Sequence, residues 1–191
     1  MKKVDFKPGQ WENEFVHVYS YRFDDRPVFT QEEDCIRNGT KHEPPRNMND
    51  YEYITLFTKE KYASGAKIST KCSFDHFGAP LLVITDEVTE DNGELRYGRY
   101  FEVVLYEEGI NVWEMWMPEE KQVKWHKLMA VKFPVTENDV HELSMKIGKD
   151  MLEIEADGKV ALLRVENLPE QFHVGLSGCE GINKFFDFTI E

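Results

Sequence analysis

Hydrophobic and polar residues alternate with a period of two along most of this chain, the repeat of a strand with one buried and one wet face. Glu14 to Tyr21 sets Phe15, His17, Tyr19 and Tyr21 against Val16, Val18 and Ser20. Ala66, Ile68, Thr70, Cys72 and Phe74 alternate with Lys67, Ser69, Lys71 and Ser73. Leu81 to Thr85 is continuously apolar, which predicts a central strand covered on both faces. Asp91-Asn92-Gly93 reads as a turn. Tyr100 to Tyr106 and Ile110 to Met117, joined by Glu107-Glu108-Gly109, predict a hairpin. Pro118 to Met129 carries two signals: Pro118-Glu119-Glu120 is a helix start, whereas Val123, Trp125 and Met129 fit a strand, the reading we prefer. From His141 the pattern sharpens into Leu143, Met145 and Ile147, a turn at Gly148-Lys149-Asp150, then Leu152, Ile154 and Ala156, a turn at Asp157-Gly158, and Val160 to Val165. Two successive hairpins make a meander.

Many short strands with turns every ~8–12 residues and hardly a helix point to an all-β fold, a two-sheet antiparallel sandwich with a barrel as competitor. The 191 residues suit one core, and neither repeats nor low-complexity tracts divide them. A single domain over 1–191 is expected, with 1–49 an N-terminal strand plus an irregular segment. The periodicity breaks at Asn38 to Asp50, which holds Pro44 and Pro45.

The C-terminal third carries a resemblance. His141-Glu142-Leu143-Ser144-Met145-Lys146-Ile147-Gly148, the Asp157-Gly158-Lys159 turn, Val174-Gly175-Leu176-Ser177-Gly178 and Phe185-Phe186-Asp187-Phe188-Thr189-Ile190 resemble the last strands of the concanavalin A-like lectin/glucanase superfamily of jelly rolls. The likeness runs from roughly Tyr51 to Glu191. It implies two curved antiparallel sheets whose concave face often holds a carbohydrate, in lectins, glycoside hydrolases, lyases and binding modules.

Charge and composition remove other classes. Thirty-six acidic residues against 23 basic ones leave a net charge of −13, which repels nucleic acid and anionic membranes. No run of 18 apolar residues exists, so no transmembrane helix is expected. Asp5, Lys7 and Pro8 stand where a signal peptide would be apolar, so the expected location is cytoplasmic, or that of a secreted mature form. Cys35, Cys72 and Cys179 suit free thiols in a reducing compartment.

The hairpin at Tyr100 to Met117 offers the most chemistry. A three-residue loop with Gly109 left-handed would place Tyr106 opposite Ile110, Val104 opposite Val112, Glu102 opposite Glu114 and Tyr100 opposite Trp116, whereas a two-residue turn at Glu108-Gly109 would put Glu102 and Glu114 on opposite sides. Phe101, Val103, Leu105, Trp113 and Met115 would then form the core face. Two carboxylates directly opposite repel unless a cation, a metal ion or a shared proton compensates; Lys71 and Arg99 are the candidate cations. Flanked by Tyr100, Tyr106 and Trp116, such a face could stack a sugar ring while the carboxylates accept hydroxyl hydrogen bonds. Carbohydrate binding is therefore the expected function. A glycoside hydrolase or lyase with Glu102 and Glu114 as acid and base is the alternative, and a protein-interaction module a third. His76, in the loop after Phe74-Asp75, is a weaker ligand candidate, as is Lys71. Glu153, Glu155 and Asp157 share a strand face like the catalytic acids of laminarinase-like glucanases, yet Asp157 reads as a turn residue. No cofactor is expected. Asp86, Glu87, Glu90, Asp91 and Asn92 form an oxygen-rich loop that could hold calcium, as some superfamily members do, without EF-hand spacing. No histidine stands at metal-ligand spacing, and no nucleophile elbow or phosphate-binding glycine loop is present. The sequence does not fix an oligomeric state.

Overall fold

The structure, a computed structural model, describes residues 1–19, 28–38, 53–119 and 122–191. Among them no helix occurs. The strands are β1 (Lys2–Asp5), β2 (Phe15–Val18), β3 (Thr30–Gln31), β4 (Ile36–Arg37), β5 (Tyr53–Thr58), β6 (Tyr62–Ala63), β7 (Lys67–Asp75), β8 (Ala79–Thr85), β9 (Val88–Asp91), β10 (Glu94–Tyr97), β11 (Tyr100–Tyr106), β12 (Gly109–Glu119), β13 (Gln122–Lys132), β14 (His141–Ile147), β15 (Met151–Ala156), β16 (Lys159–Arg164), β17 (Gln171–Cys179), β18 (Ile182–Phe185) and β19 (Asp187–Ile190). Apart from Asn38, the predicted break lies outside the described residues, as does the end of the strand predicted from Glu14.

Two antiparallel sheets result. Sheet A runs β16-β15-β14-β7-β18-β4-β3, and β19 joins β7 to β1. Sheet B runs β13-β12-β11-β8-β17-β5-β2, with β6 added on β17. The period-two pattern explains their packing. Ile68, Cys72 and Phe74 of β7, Leu143, Met145 and Ile147 of β14, and Leu152 and Ile154 of β15 meet Leu82, Ile84, Phe101, Val103, Val112, Val174 and Leu176 of sheet B in one buried core. Phe6 and Phe15 close one end, Phe15 edge-on to Phe188 at 5.5 Å between ring centres. This is the two-sheet jelly-roll sandwich that the sequence predicts.

The all-apolar run becomes β8, with all seven residues buried between β11 and β17. Its alternate residues Leu81 and Val83 join Phe57, Tyr97, Tyr100 and Met115 in a second apolar cluster on the outer face of sheet B. The β9–β10 hairpin covers part of this face, turning at Asn92 (φ 54°) and Gly93 (φ 82°) where the sequence places a turn. The preferred strand reading after Pro118 holds: β13 pairs along β12, and the register slips between Val112 and Trp113 so that Leu128 is left over. The N-terminal part contains β1, β3 and β4 besides the one expected strand; strands of two to four residues are too short to show a period.

The β11–β12 register differs from the expected one. Tyr106 pairs with Gly109, Val104 with Asn111, Glu102 with Trp113, Phe101 with Glu114 and Tyr100 with Met115. The loop is therefore Glu107-Glu108 alone. Gly109 is the cause, because a Cβ there would lie 2.1 Å from the Val131 carbonyl oxygen of β13, and its φ of 128° suits no other residue. The Glu107 and Glu108 carbonyls accept from Val135 and Phe133, each at 3.0 Å, which ties the loop to the chain beyond β13. A one-residue slip turns every side chain of a strand to the other face.

Candidate functional site

That slip separates the proposed acids. Glu102 lies on the outer face of sheet B between Val83 of β8 and Trp113 of β12, and is 4% exposed. Tyr100 shares its face, and burial first, then the Glu102 charge, push the Tyr100 phenol well above its ordinary value. Tyr97 of the covering hairpin meets the Tyr100 ring edge-on at 4.5 Å. Glu114 points to the opposite side, where Arg99 Nε donates to its Oε1 at 2.7 Å. Arg99 Nη1 also donates to the Asn167 carbonyl at 2.7 Å, and its guanidinium sits 4.8 Å over Phe101. Arg99 is thus the cation that compensates Glu114, as expected, but it answers one carboxylate rather than a facing pair. Trp116 shares the side of Glu114 and leaves the face of Tyr100 and Tyr106. A general acid and base must flank one bond, and the hairpin does not bring these two together.

The weaker candidates lie elsewhere. Lys71 stands on the outer face of sheet A, 3.6 Å from Glu142 and exposed. His76 occupies the β7–β8 turn with φ 50°; its backbone N–H donates to Asp75 Oδ1 at 2.8 Å and its ring lies 3.4 Å from the same carboxylate. Glu153 and Glu155 also lie on sheet A, paired beside Lys146 and Ser144. Asp157 is a turn residue with φ 48°; its carboxylate takes the Glu142 backbone N–H at 2.9 Å and His141 Nδ1 at 2.6 Å. For calcium, no group of three or more His, Cys, Asp or Glu side chains is placed to hold a metal ion among the described residues. Asn92 in the acidic loop instead donates to Asp91 at 3.0 Å.

What the true register assembles is a different row. Tyr106, Asn111 and Trp113 share the outer face with Trp125 and Lys127 of β13, because Trp113 opposes Lys127 and Met115 opposes Trp125. Tyr106, Asn111, Trp113 and Trp125 are half-buried and Lys127 is exposed, its Nζ 4.6 Å over the Trp113 ring. Asn111 Oδ1 has no hydrogen-bond partner among the described residues. Rings open on one side, interleaved with donors and acceptors, can stack a pyranose and bind its hydroxyls. Trp113, Trp125, Asn111 and Lys127 escape the sequence reading because its preferred register assigns Trp113 to the core; the alternative turn at Glu108-Gly109 has the loop residues wrong but separates the two glutamates as observed.

No family model and no curated protein sequence matches the chain. Solved structures do. The carbohydrate-binding module CBM66 from Bacillus subtilis superposes with a TM-score of 0.66 at 8% identity, over 93% of this chain and 95% of that one. A glycoside hydrolase family 16 endo-glucanase from Bacteroides ovatus gives 0.63 at 9% identity, over 100% and 99% of the two chains. LamAcat from Zobellia galactanivorans gives 0.64 at 11% identity, over 100% and 96%. Identities this low speak for the fold, the concanavalin A-like jelly roll that the C-terminal motifs resemble.

Proposed function

We propose that the protein binds carbohydrate on the outer face of sheet B. The observation that carries this reading is the row of half-buried rings Tyr106, Trp113 and Trp125, interleaved with Asn111 and Lys127. Tyr100 and Glu102 lie beneath the neighbouring part of the face and support it without being open themselves. The similar solved structures include a carbohydrate-binding module and a glucanase, which adds weight to a saccharide as the ligand. Binding rather than cleavage is the expected outcome, since Glu102 and Glu114 point to different faces.

A panel of oligosaccharides screened by thermal shift tests it. One glycan class should raise the melting temperature and be recovered intact, because a ligand of the native state at ~100 times its Kd adds about 2.7 kcal/mol of stability. Trp113→Ala and Tyr106→Ala should abolish the shift. A panel without any response, or one that both variants reproduce, would remove the reading.

A further inference from the structure

On the outer face of sheet A, the register sets Ser73, Lys184 and Arg37 in one row across β7, β18 and β4. Lys184 and Arg37 are direct cross-strand partners, and like charges so placed repel. With 36 acidic residues against 23 basic ones, such a pair is not the by-product of a basic surface. One carboxylate serves both cations. Glu32 Oε2 accepts from Lys184 Nζ at 2.8 Å, while its Oε1 lies 3.7 Å from Arg37 Nη1. The second distance is too long for a hydrogen bond, and Arg37 Nε is buried without an acceptor among the described residues. A guanidinium offers five donors in a planar fork that matches a carboxylate or sulfate. The row therefore keeps cationic donor capacity that no described residue uses.

Ser73, Lys184 and Arg37 also line a cavity of about 240 Å³, with Asp75, Asn138 and Ile182 on its wall. The Asp75 carboxylate is engaged by its own turn through the backbone N–H of His76. Sites that enclose whole small molecules measure ~300–1,000 Å³, so this cavity suits one charged substituent of a longer ligand. The geometry points to a second subsite, on the opposite sheet from the ring row, that takes the oxyanion of an acidic saccharide: a uronate carboxylate or a sulfate ester held by Arg37 and Lys184. The saccharide part rests on the carbohydrate reading above; the oxyanion part rests on the cation row alone.

Titration calorimetry on the full chain tests this with galacturonate oligomers against their methyl esters, and with sulfated against unsulfated galactan oligomers. The charged form should bind about tenfold tighter than its neutral counterpart, and added salt should shrink the difference. Arg37→Gln and Lys184→Gln should each erase it. Glu32→Gln should tighten binding severalfold, a direction that a merely structural role does not produce. Preference for the uronate or for the sulfated series identifies the source of the oxyanion. Equal binding of charged and neutral forms, or binding of the charged form that Arg37→Gln and Lys184→Gln leave unchanged, overturns the inference. Neutral oligomers that bind and lose affinity in Trp113→Ala, with no gain from charge, would refute this subsite and spare the ring row. Arg37-dependent binding of free glucuronate, with every glycan indifferent to Trp113→Ala, would do the reverse.

Discussion

Trp113 stands opposite Glu102 across the β11–β12 hairpin, and Glu114, one residue on, faces the other way into the guanidinium of Arg99. The two glutamates therefore do different work. Glu114 closes the end of the inter-sheet core together with Arg99, which lies on Phe101. Truncating Glu114 to Ala would leave that cation without its carboxylate in a partly buried place. The expected loss is about 1–3 kcal/mol, read as a lower urea midpoint with an unchanged m-value. Glycan responses should survive, and their loss in this variant would mean that Glu114 reaches the ligand after all.

Gly109 sets the parity of the whole hairpin. Alanine there would meet the Val131 carbonyl oxygen and hold a backbone angle of 128° that side chains avoid. We expect Gly109→Ala to destabilise by at least about 1–3 kcal/mol, the usual range for one strained residue. Chemical denaturation measures it. A variant as stable as the parent would show that β12 can move away from β13.

Cys35 and Cys72 should be silent in the folded protein. Burial pushes Cys35 up to about 12, assisted by the Glu32 carboxylate, and burial raises Cys72 well above its ordinary value. Since the thiolate is the reactive form, a thiol reagent at pH 8 should titrate neither until denaturant is added. Rapid labelling of native Cys72 would contradict the packing of β7 against sheet B.

His17 predicts a pH dependence. Burial lowers its imidazole below the ordinary value, and its Nε2 accepts the Phe29 N–H at 3.3 Å, which only the unprotonated nitrogen can do. Below pH ~6.5 the unfolded chain takes up a proton that the folded chain resists, so stability is full above that pH and lost as pH falls through the lowered folded value. The Glu32 carboxyl, held down chiefly by its hydrogen bond from Lys184, loses its contribution only at lower pH, beneath the ordinary carboxylate range. Melting temperatures between pH 7.5 and 5 should therefore decline, and His17→Gln, which keeps an acceptor, should flatten the slope.

Much of the fold is legible in the sequence because it rests on alternation. Ile68, Cys72 and Phe74 face inward and Lys67, Lys71 and Ser73 outward as their order predicts, and the turns at Asn92-Gly93 and Asp157-Gly158 take the left-handed backbone their residues favour. Tyr100, Glu102 and Tyr106 do share a face. The other half of that face is not legible, since it depends on one residue of loop length, and that length follows from how Gly109 meets Val131 on a strand whose own identity is ambiguous. The Lys184–Arg37 row is invisible for a related reason: β4 has two residues, and its partner lies 147 positions away in the chain.

The placing of the late strands bears on how the chain comes into being. β17 is inserted between β8 and β5, and β19 bridges β7 to β1, so each sheet has a gap in its middle until residues 171–190 have left the ribosome. Up to that moment the nascent polypeptide holds β8 with one bare edge and nothing to shield it. Distant partners also slow a search through conformations. Acquisition of structure should thus be concerted and wait for residues 171–190, with a chain stopped short of them a natural client for whatever holds unfinished proteins in solution.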